Sequence, residues 1–136
     1  MDQAPASPSP VTNTSALSIL VTPNDVNHLG TLFGGRLVAL MDQVAFIAGA
    51  RRAGRSVVTA SIERIDFAVP VYLGELLTVE ARVLSVGRSS LQIAVTAYAE
   101  DLSTGLRRQA TTGHFVMVAV DEAGHPVPVR GSDTPA

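Results

Sequence analysis

The chain has 136 residues, the size of one ordinary domain and enough to bury a real core. Hydrophobic residues make up 46% and charged residues 16%, and the net charge of −2 excludes a generally basic nucleic-acid coat, for which a pI above about 9 is expected. All ten basic residues are arginine and cysteine is absent, which excludes Schiff-base and thiol chemistry, a P-loop, disulfides and Cys-based zinc.

Residues 1–14 are rich in Pro and Ser, with neither a basic n-region nor an apolar h-region. They read as a disordered extension and not as a secretory signal. No run reaches the roughly 18 apolar residues of a membrane span, so no membrane partner is expected. Ala16–Thr22 is a short, apolar, β-branched run that stops at Pro23, which predicts a first strand. Pro23 to Leu32 is dense in Asn, Asp and Gly and reads as a loop. After Gly34-Gly35, the stretch Arg36–Ala50 contains no proline and predicts about four turns of helix. Arg51-Arg52 suit its C-terminus and Gly54 its stop. The helix is apolar on nearly every side and is therefore expected to be buried all round.

From Ser56 the period changes to two. Val57–Val69 predicts one long strand or a bent pair, ended by Pro70. Leu77, Val79, Ala81 and Val83 alternate with polar residues, as do Leu91, Ile93, Val95, Ala97 and Ala99 beyond a turn at Gly87-Arg88. Asp101–Leu106 reads as a hairpin turn and Arg108–Val120 as the last strand. The expected domain runs over 15–129, followed by a flexible tail over 130–136. Short turns make neighbouring strands antiparallel. A strongly curved sheet around one central helix, an α+β architecture, accommodates this order.

Asp42 is the only ionisable residue between Leu37 and Ala50. It lies either on an exposed strip beside Gln43 or in an apolar site, as a carboxylate available as base or nucleophile. Gly34-Gly35 opens the same helix about two turns upstream. The pair is either a tight turn or a place where free helix-opening amides meet a ligand carbonyl. Asn24 and Asn27 suit turns, and His28 is a loop histidine of the kind usually solvated. A three-histidine metal centre would require His28, His114 and His125 together, and no metal is expected.

The run Pro23-Asn-Asp-Val-Asn-His-Leu-Gly-Thr-Leu-Phe-Gly-Gly35, followed by Met41-Asp42, resembles the hotdog-fold acyl-CoA thioesterases, in particular acyl-CoA hydrolases of the bacterial YciA and mammalian brain type. Val58-Thr59, Ile65-Asp-Phe67, Pro70-Val71 with Gly74, Gly87-Arg-Ser-Ser90 and Phe115–Asp121 agree, so the likeness extends over about 16–129. It implies the hotdog fold, a curved antiparallel sheet around one long helix, with dimers pairing sheet edges and holding active sites at their interface. Asn27 and Asp42 match the family's catalytic Asn and Asp, and Gly35 the glycine whose amide polarises the thioester carbonyl. Gly34, Thr59, Gly87, Arg88, Ser89 and Ser90 match positions along coenzyme A. Of the other arginines, Arg51, Arg52 and Arg55 are further candidates for the CoA phosphates or simply a solvated helix end. The family match gives His28 no role. The resemblance also implies a cytoplasmic homodimer, assembled further into a tetramer or a hexamer (a trimer of dimers), with acyl-CoA as substrate and no separate cofactor.

Two rivals share the fold. A non-catalytic acyl-CoA sensor would carry a helical DNA-binding module, for which the residues before the first strand are too few. A hotdog hydratase or dehydratase would pair a histidine with an acid in a different loop motif. A purely structural oligomer leaves Asp42 unexplained.

Overall fold

The computed structural model describes residues 14–131; the expected extension up to residue 13 and the tail from 132 onward lie outside the described residues. Strand β1 (Thr14–Leu20) leads through a 3-10 turn (Pro23–Asp25) to helix α1 (Gly34–Ala53), then β2 (Val57–Phe67), β3 (Leu76–Val86), β4 (Ser90–Asp101) and β5 (Leu106–Ala119). All pairings in the single sheet are antiparallel, in the order β1-β3-β4-β5-β2. α1 packs against all five strands, and this is the α+β architecture expected from the sequence.

Alternation decides which side of the sheet meets the helix. Leu77, Val79, Ala81 and Val83 of β3, five apolar residues from Leu91 to Ala99 of β4, and Phe115, Met117 and Ala119 of β5 are buried against Leu37, Leu40, Met41, Val44, Ala45 and Ala48 of α1. Each large aliphatic side chain so buried contributes roughly 1.5–3 kcal/mol. At Gly49 the helix comes so close that an added Cβ would lie 3.3 Å from Ile93 and 3.4 Å from Val57. The helix stops at Gly54, whose φ of +67° is the left-handed cap that a side chain disfavours and whose amide donates to the Ala50 carbonyl.

Two expectations are corrected. The helix is not buried all round: Ala39, Gln43 and Phe46 form an exposed strip, because one curved sheet covers only one side of it. β2 and β3 are not hairpin neighbours. β2 crosses to the far edge and pairs with β5, and β1 takes the place beside β3. The stretch from Val57 is one strand that bends through register breaks between Thr59 and Ser61 and between Ile62 and Arg64, and it ends at Phe67. As an edge strand it exposes Val58, Ile62 and Phe67. Beyond β5, Asp121 closes a tight turn by accepting from the Ala123 and His125 amides at 2.9 Å each. The chain then folds back far enough for Arg130 to donate its amide to the Ala53 carbonyl at 3.0 Å.

Candidate active site

Asp42 lies half-buried on α1, with its Oδ1 accepting the Thr59 hydroxyl of β2 at 2.5 Å. The same hydroxyl is 3.4 Å from Met117 Sδ. Thr59 follows the inward-facing Val57 by two residues, so strand alternation turns it toward the helix. Among the described residues, nothing bonds Asp42 Oδ2. The carboxylate borders an open cavity of about 530 Å³ whose other walls are Gln43, Phe46, Ile47, Val58 and Thr59. One carboxylate oxygen is thus fixed and the other available, at the edge of an apolar hollow.

Asn27 is built differently. Its Oδ1 accepts the Leu29 amide at 2.9 Å and both the amide and the hydroxyl of Thr31 at 3.1 Å. Three donors on that atom identify it as the oxygen of the carboxamide, so Nδ2 is the end that carries hydrogens. Nδ2 has no acceptor among the described residues. Asn27 is a turn-maker through its oxygen and a free donor through its nitrogen. The loop is tied back to the segment after β2, through Leu32 to the Val71 carbonyl (2.8 Å) and Leu73 to the Gly30 carbonyl (3.0 Å). That segment is stapled in turn by Arg108, which holds both oxygens of Glu75 at 2.6 and 2.7 Å and the Pro70 carbonyl at 2.8 Å.

Helix α1 opens without a side-chain cap, and the first intrahelical bond runs from Leu37 to Phe33. The amides of Gly34, Gly35 and Arg36 therefore have no acceptor in the described chain. A Cβ on Gly34 would come 3.4 Å from the Phe67 ring, whereas one on Gly35 would meet nothing within 4 Å. Among the described residues, the Cβ side of Gly35 is open and its amide has no acceptor.

Asn27 and Gly35 do not line the cavity at Asp42. Of the expected trio, only Asp42 borders the cavity within one chain, together with Thr59. Thr59, expected along CoA, is bonded to the carboxylate. The turn at Gly87–Ser90 is pinned by its backbone, with Gly87 donating to Ser90 (2.8 Å), Ser89 accepting from Ala119 (2.7 Å) and Arg88 accepting from Val129 (2.7 Å). The Arg88 side chain is exposed, beside a shallow hollow of about 170 Å³ with Ser89 and Pro126 to Pro128. Leu91 and Thr59 flank Met117 on opposite sides, so this turn starts two strand spacings, about 10 Å, from the carboxylate's partner. Arg51 donates to Ser15 and Arg52 to the Arg130 carbonyl, while Arg55 Nε is buried without an acceptor. His28 is exposed and forms no side-chain bond among the described residues. No group of three or more His, Cys, Asp or Glu able to hold a metal occurs among the described residues.

Residues 29–106 match the model of the thioesterase superfamily. The chain belongs to this family. It is 41% identical over 109 residues to a Bacillus subtilis protein named as an uncharacterised acyl-CoA thioester hydrolase, a match covering 80% of this chain and 63% of that relative. The chain therefore spans just under two thirds of the relative's length. Among solved structures it resembles a hexameric acyl-CoA thioesterase (TM-score 0.85, 40% identity, 89% of this chain and 78% of the other). It also resembles an acyl-CoA hydrolase from Staphylococcus aureus solved with butyryl-CoA and CoA (TM-score 0.82, 33% identity, 91% and 76%). That staphylococcal enzyme has further been solved with alanine in place of an asparagine, an aspartate and a threonine, in that order along its chain at intervals of 15 and 17 residues. The superfamily and the single sheet with one long helix together are the hotdog fold. No helix among the described residues is long and apolar enough to cross a membrane.

Proposed function

We propose that this protein hydrolyses the thioester of acyl-CoA to a carboxylic acid and free CoA. The observation that carries the reading is Asp42, held by Thr59 through one oxygen and open through the other at the edge of an apolar cavity. The intervals Asn27–Asp42 and Asp42–Thr59 are 15 and 17 residues, those of the three positions replaced in the staphylococcal hydrolase, which supports a shared site.

The exposed strip Ala39–Gln43–Phe46 and the bare edge of β2 fit a second copy of the chain. In the resulting homodimer, Asn27 and Gly35 of one protomer face Asp42 and Thr59 of the other. The Gly35 amide and Asn27 Nδ2 then donate to the thioester oxygen as negative charge develops on it, an effect worth about 3 kcal/mol per donor. Asp42 acts in one of two ways. As a base it takes a proton from water, the hydroxide adds to the carbonyl carbon, the C–S bond breaks and the proton passes to sulfur. As a nucleophile it adds directly, releases the thiolate and leaves a mixed anhydride for water to hydrolyse. The turn Gly87–Ser90, with Gly34, runs along CoA, and the Arg88 side chain meets its phosphates. Further assembly of dimers and a cytoplasmic location belong to the same proposal.

The test is thiol release from acyl-CoAs of two to sixteen carbons. With no cysteine in the chain, every titrated thiol is product. Asp42→Asn should lower turnover by about 100-fold or more at little cost in CoA affinity, and His28→Ala should leave it near wild type. The reading is lost if no acyl chain is cleaved, or if Asp42→Asn stays active.

A further inference from the structure

The loop carrying Asn27 leaves the body of the protein at Asp25 and re-enters it at Phe33. Asp25 is bonded on both sides of that excursion. Its amide donates to the Thr22 carbonyl at 2.9 Å, and its own carbonyl accepts the Phe33 amide at 3.0 Å. Its Oδ2 accepts the Thr22 amide and hydroxyl at 2.9 Å each, and its Oδ1 accepts Arg36 Nε at 3.1 Å. The end of the first strand, the loop and the first turn of α1 thus meet at one carboxylate whose side chain is only 12% exposed. The bonds from Thr22, followed by that from Arg36, hold the Asp25 carboxyl below its usual range against the opposing effect of burial. It is therefore ionised near neutrality.

Arg36 has no local reason to stand where it does. It follows Gly35 in the first turn, where a cation faces the positive end of the helix dipole. Its side chain is 43% exposed, so core packing does not explain it either. The bond to Asp25 is its only polar side-chain contact among the described residues. Asn27 is two residues from one member of this pair and the Gly35 amide is next to the other.

We infer that Asp25 and Arg36 are a positioning pair that sets Asn27 Nδ2 relative to the Gly35 amide, so that the two donors converge on one thioester oxygen. The inference rests on the thioesterase reading for the identity of that oxygen. The geometric link between loop and helix does not. Neither residue touches substrate; each acts through the loop. Thr22, Phe33 and the turn at Pro23 complete the clamp, and among the described residues Asp25 is the only charged partner of Arg36.

Two variants break the link at different atoms. Arg36→Met keeps the exposed stem and removes the guanidinium. Asp25→Asn leaves one oxygen for Thr22 and turns an amide nitrogen toward Arg36. Each should lower kcat by about 10-fold or more with KM within about threefold, since a displacement near 1 Å costs rate more than binding. Because both cut one link, the double variant should be no slower than the slower single. Amide hydrogen exchange gives a readout independent of activity: Leu29 and Thr31 should exchange about 10-fold faster, while Ile93 and Val95 of β4 keep their protection. If wild type cleaves acyl-CoA and both variants keep its kcat and exchange pattern, the pair has no positioning role. Losses that multiply in the double variant, or loss of β4 protection, overturn it equally. If wild type releases no thiol, the thioesterase reading fails by itself, and the exchange of Leu29 and Thr31 still decides whether the pair sets the loop.

Discussion

Asn27→Asp separates the two jobs of one side chain. The substitution keeps the shape and the oxygen that accepts from the Leu29 amide and from the Thr31 amide and hydroxyl at 2.9–3.1 Å. It replaces the free Nδ2 donor with an oxygen that carries charge and donates nothing. The three loop bonds, each worth roughly 1 kcal/mol net, are retained, so the melting temperature should stay close to wild type. The loss falls on the transition state instead. Removing one donor from a developing oxyanion costs about 100- to 1000-fold in kcat, roughly 3–4 kcal/mol, and the added carboxylate raises the barrier further. Asn27→Ala is the contrasting variant, since it deletes the donor together with the three loop bonds and should lose roughly 2–3 kcal/mol of stability as well. Thiol release gives kcat and KM, and thermal unfolding gives stability on the same preparations. If Asn27→Asp retained activity within about threefold of wild type, Nδ2 would not be the working atom. If it melted as low as Asn27→Ala, the oxygen would not hold the loop.

Thr59→Val keeps the volume of the side chain but removes the hydroxyl 2.5 Å from Asp42. It should cost about 10-fold or more in kcat with little change in melting temperature, and a wild-type rate would leave Thr59 no part in orienting the carboxylate. Glu75→Gln tests the staple behind the Asn27 loop. The hydrogen bonds from Arg108 hold the Glu75 carboxyl below the ordinary value of 4.5, with burial opposing. The resulting stability is present above that value and disappears as pH falls through the lower folded value. At pH 7 the variant should be less stable by roughly 1–3 kcal/mol, and the gap from wild type should close on acidification below about 4.5; a gap that persists at low pH contradicts this.

The inner face of the sheet was legible because Leu77–Val83 of β3 and Leu91–Ala99 of β4 alternate without interruption, so each apolar position in those runs has one side to go to. The helix end at Gly54 was legible for a similar reason, since a glycine after two arginines has few other uses. The position of β2 was not. Period-two patterning tells which residues face together but not which strand lies alongside, and the register breaks after Thr59 and Ile62 hide the strand's alternation. Asp42 stood out as an isolated charge in an apolar stretch. Thr59 carried a subtler signal: it stands two residues after Val57 and so shares its register, although the residue itself is exposed. The partner itself follows only from the approach of β2 to α1. Asn27 and Asp42 are both visible in the sequence, yet in one copy Asn27 does not line the cavity beside Asp42, and a surface that would unite them across two copies has no signature in local sequence pattern. Asp25 carries no mark beyond its place after Pro23-Asn24, since aspartate is ordinary in a turn and its tie to Arg36 spans eleven residues.

The central claim is a thioesterase site completed by a second copy, and it is tested by mixing two variants that are inactive alone. Asn27→Ala and Asp42→Ala are unfolded together and refolded in equal amounts, with refolded wild type as the control for assembly. Random pairing makes half of the dimers mixed, and each mixed dimer holds one doubly altered site and one intact site. Thiol release from acyl-CoA should then recover to about a quarter of the refolded wild-type rate, by the counting of a two-fold assembly. If the refolded wild type is active and the mixture stays as inactive as its components, Asn27 and Asp42 of a working site come from one chain, and the shared site is wrong.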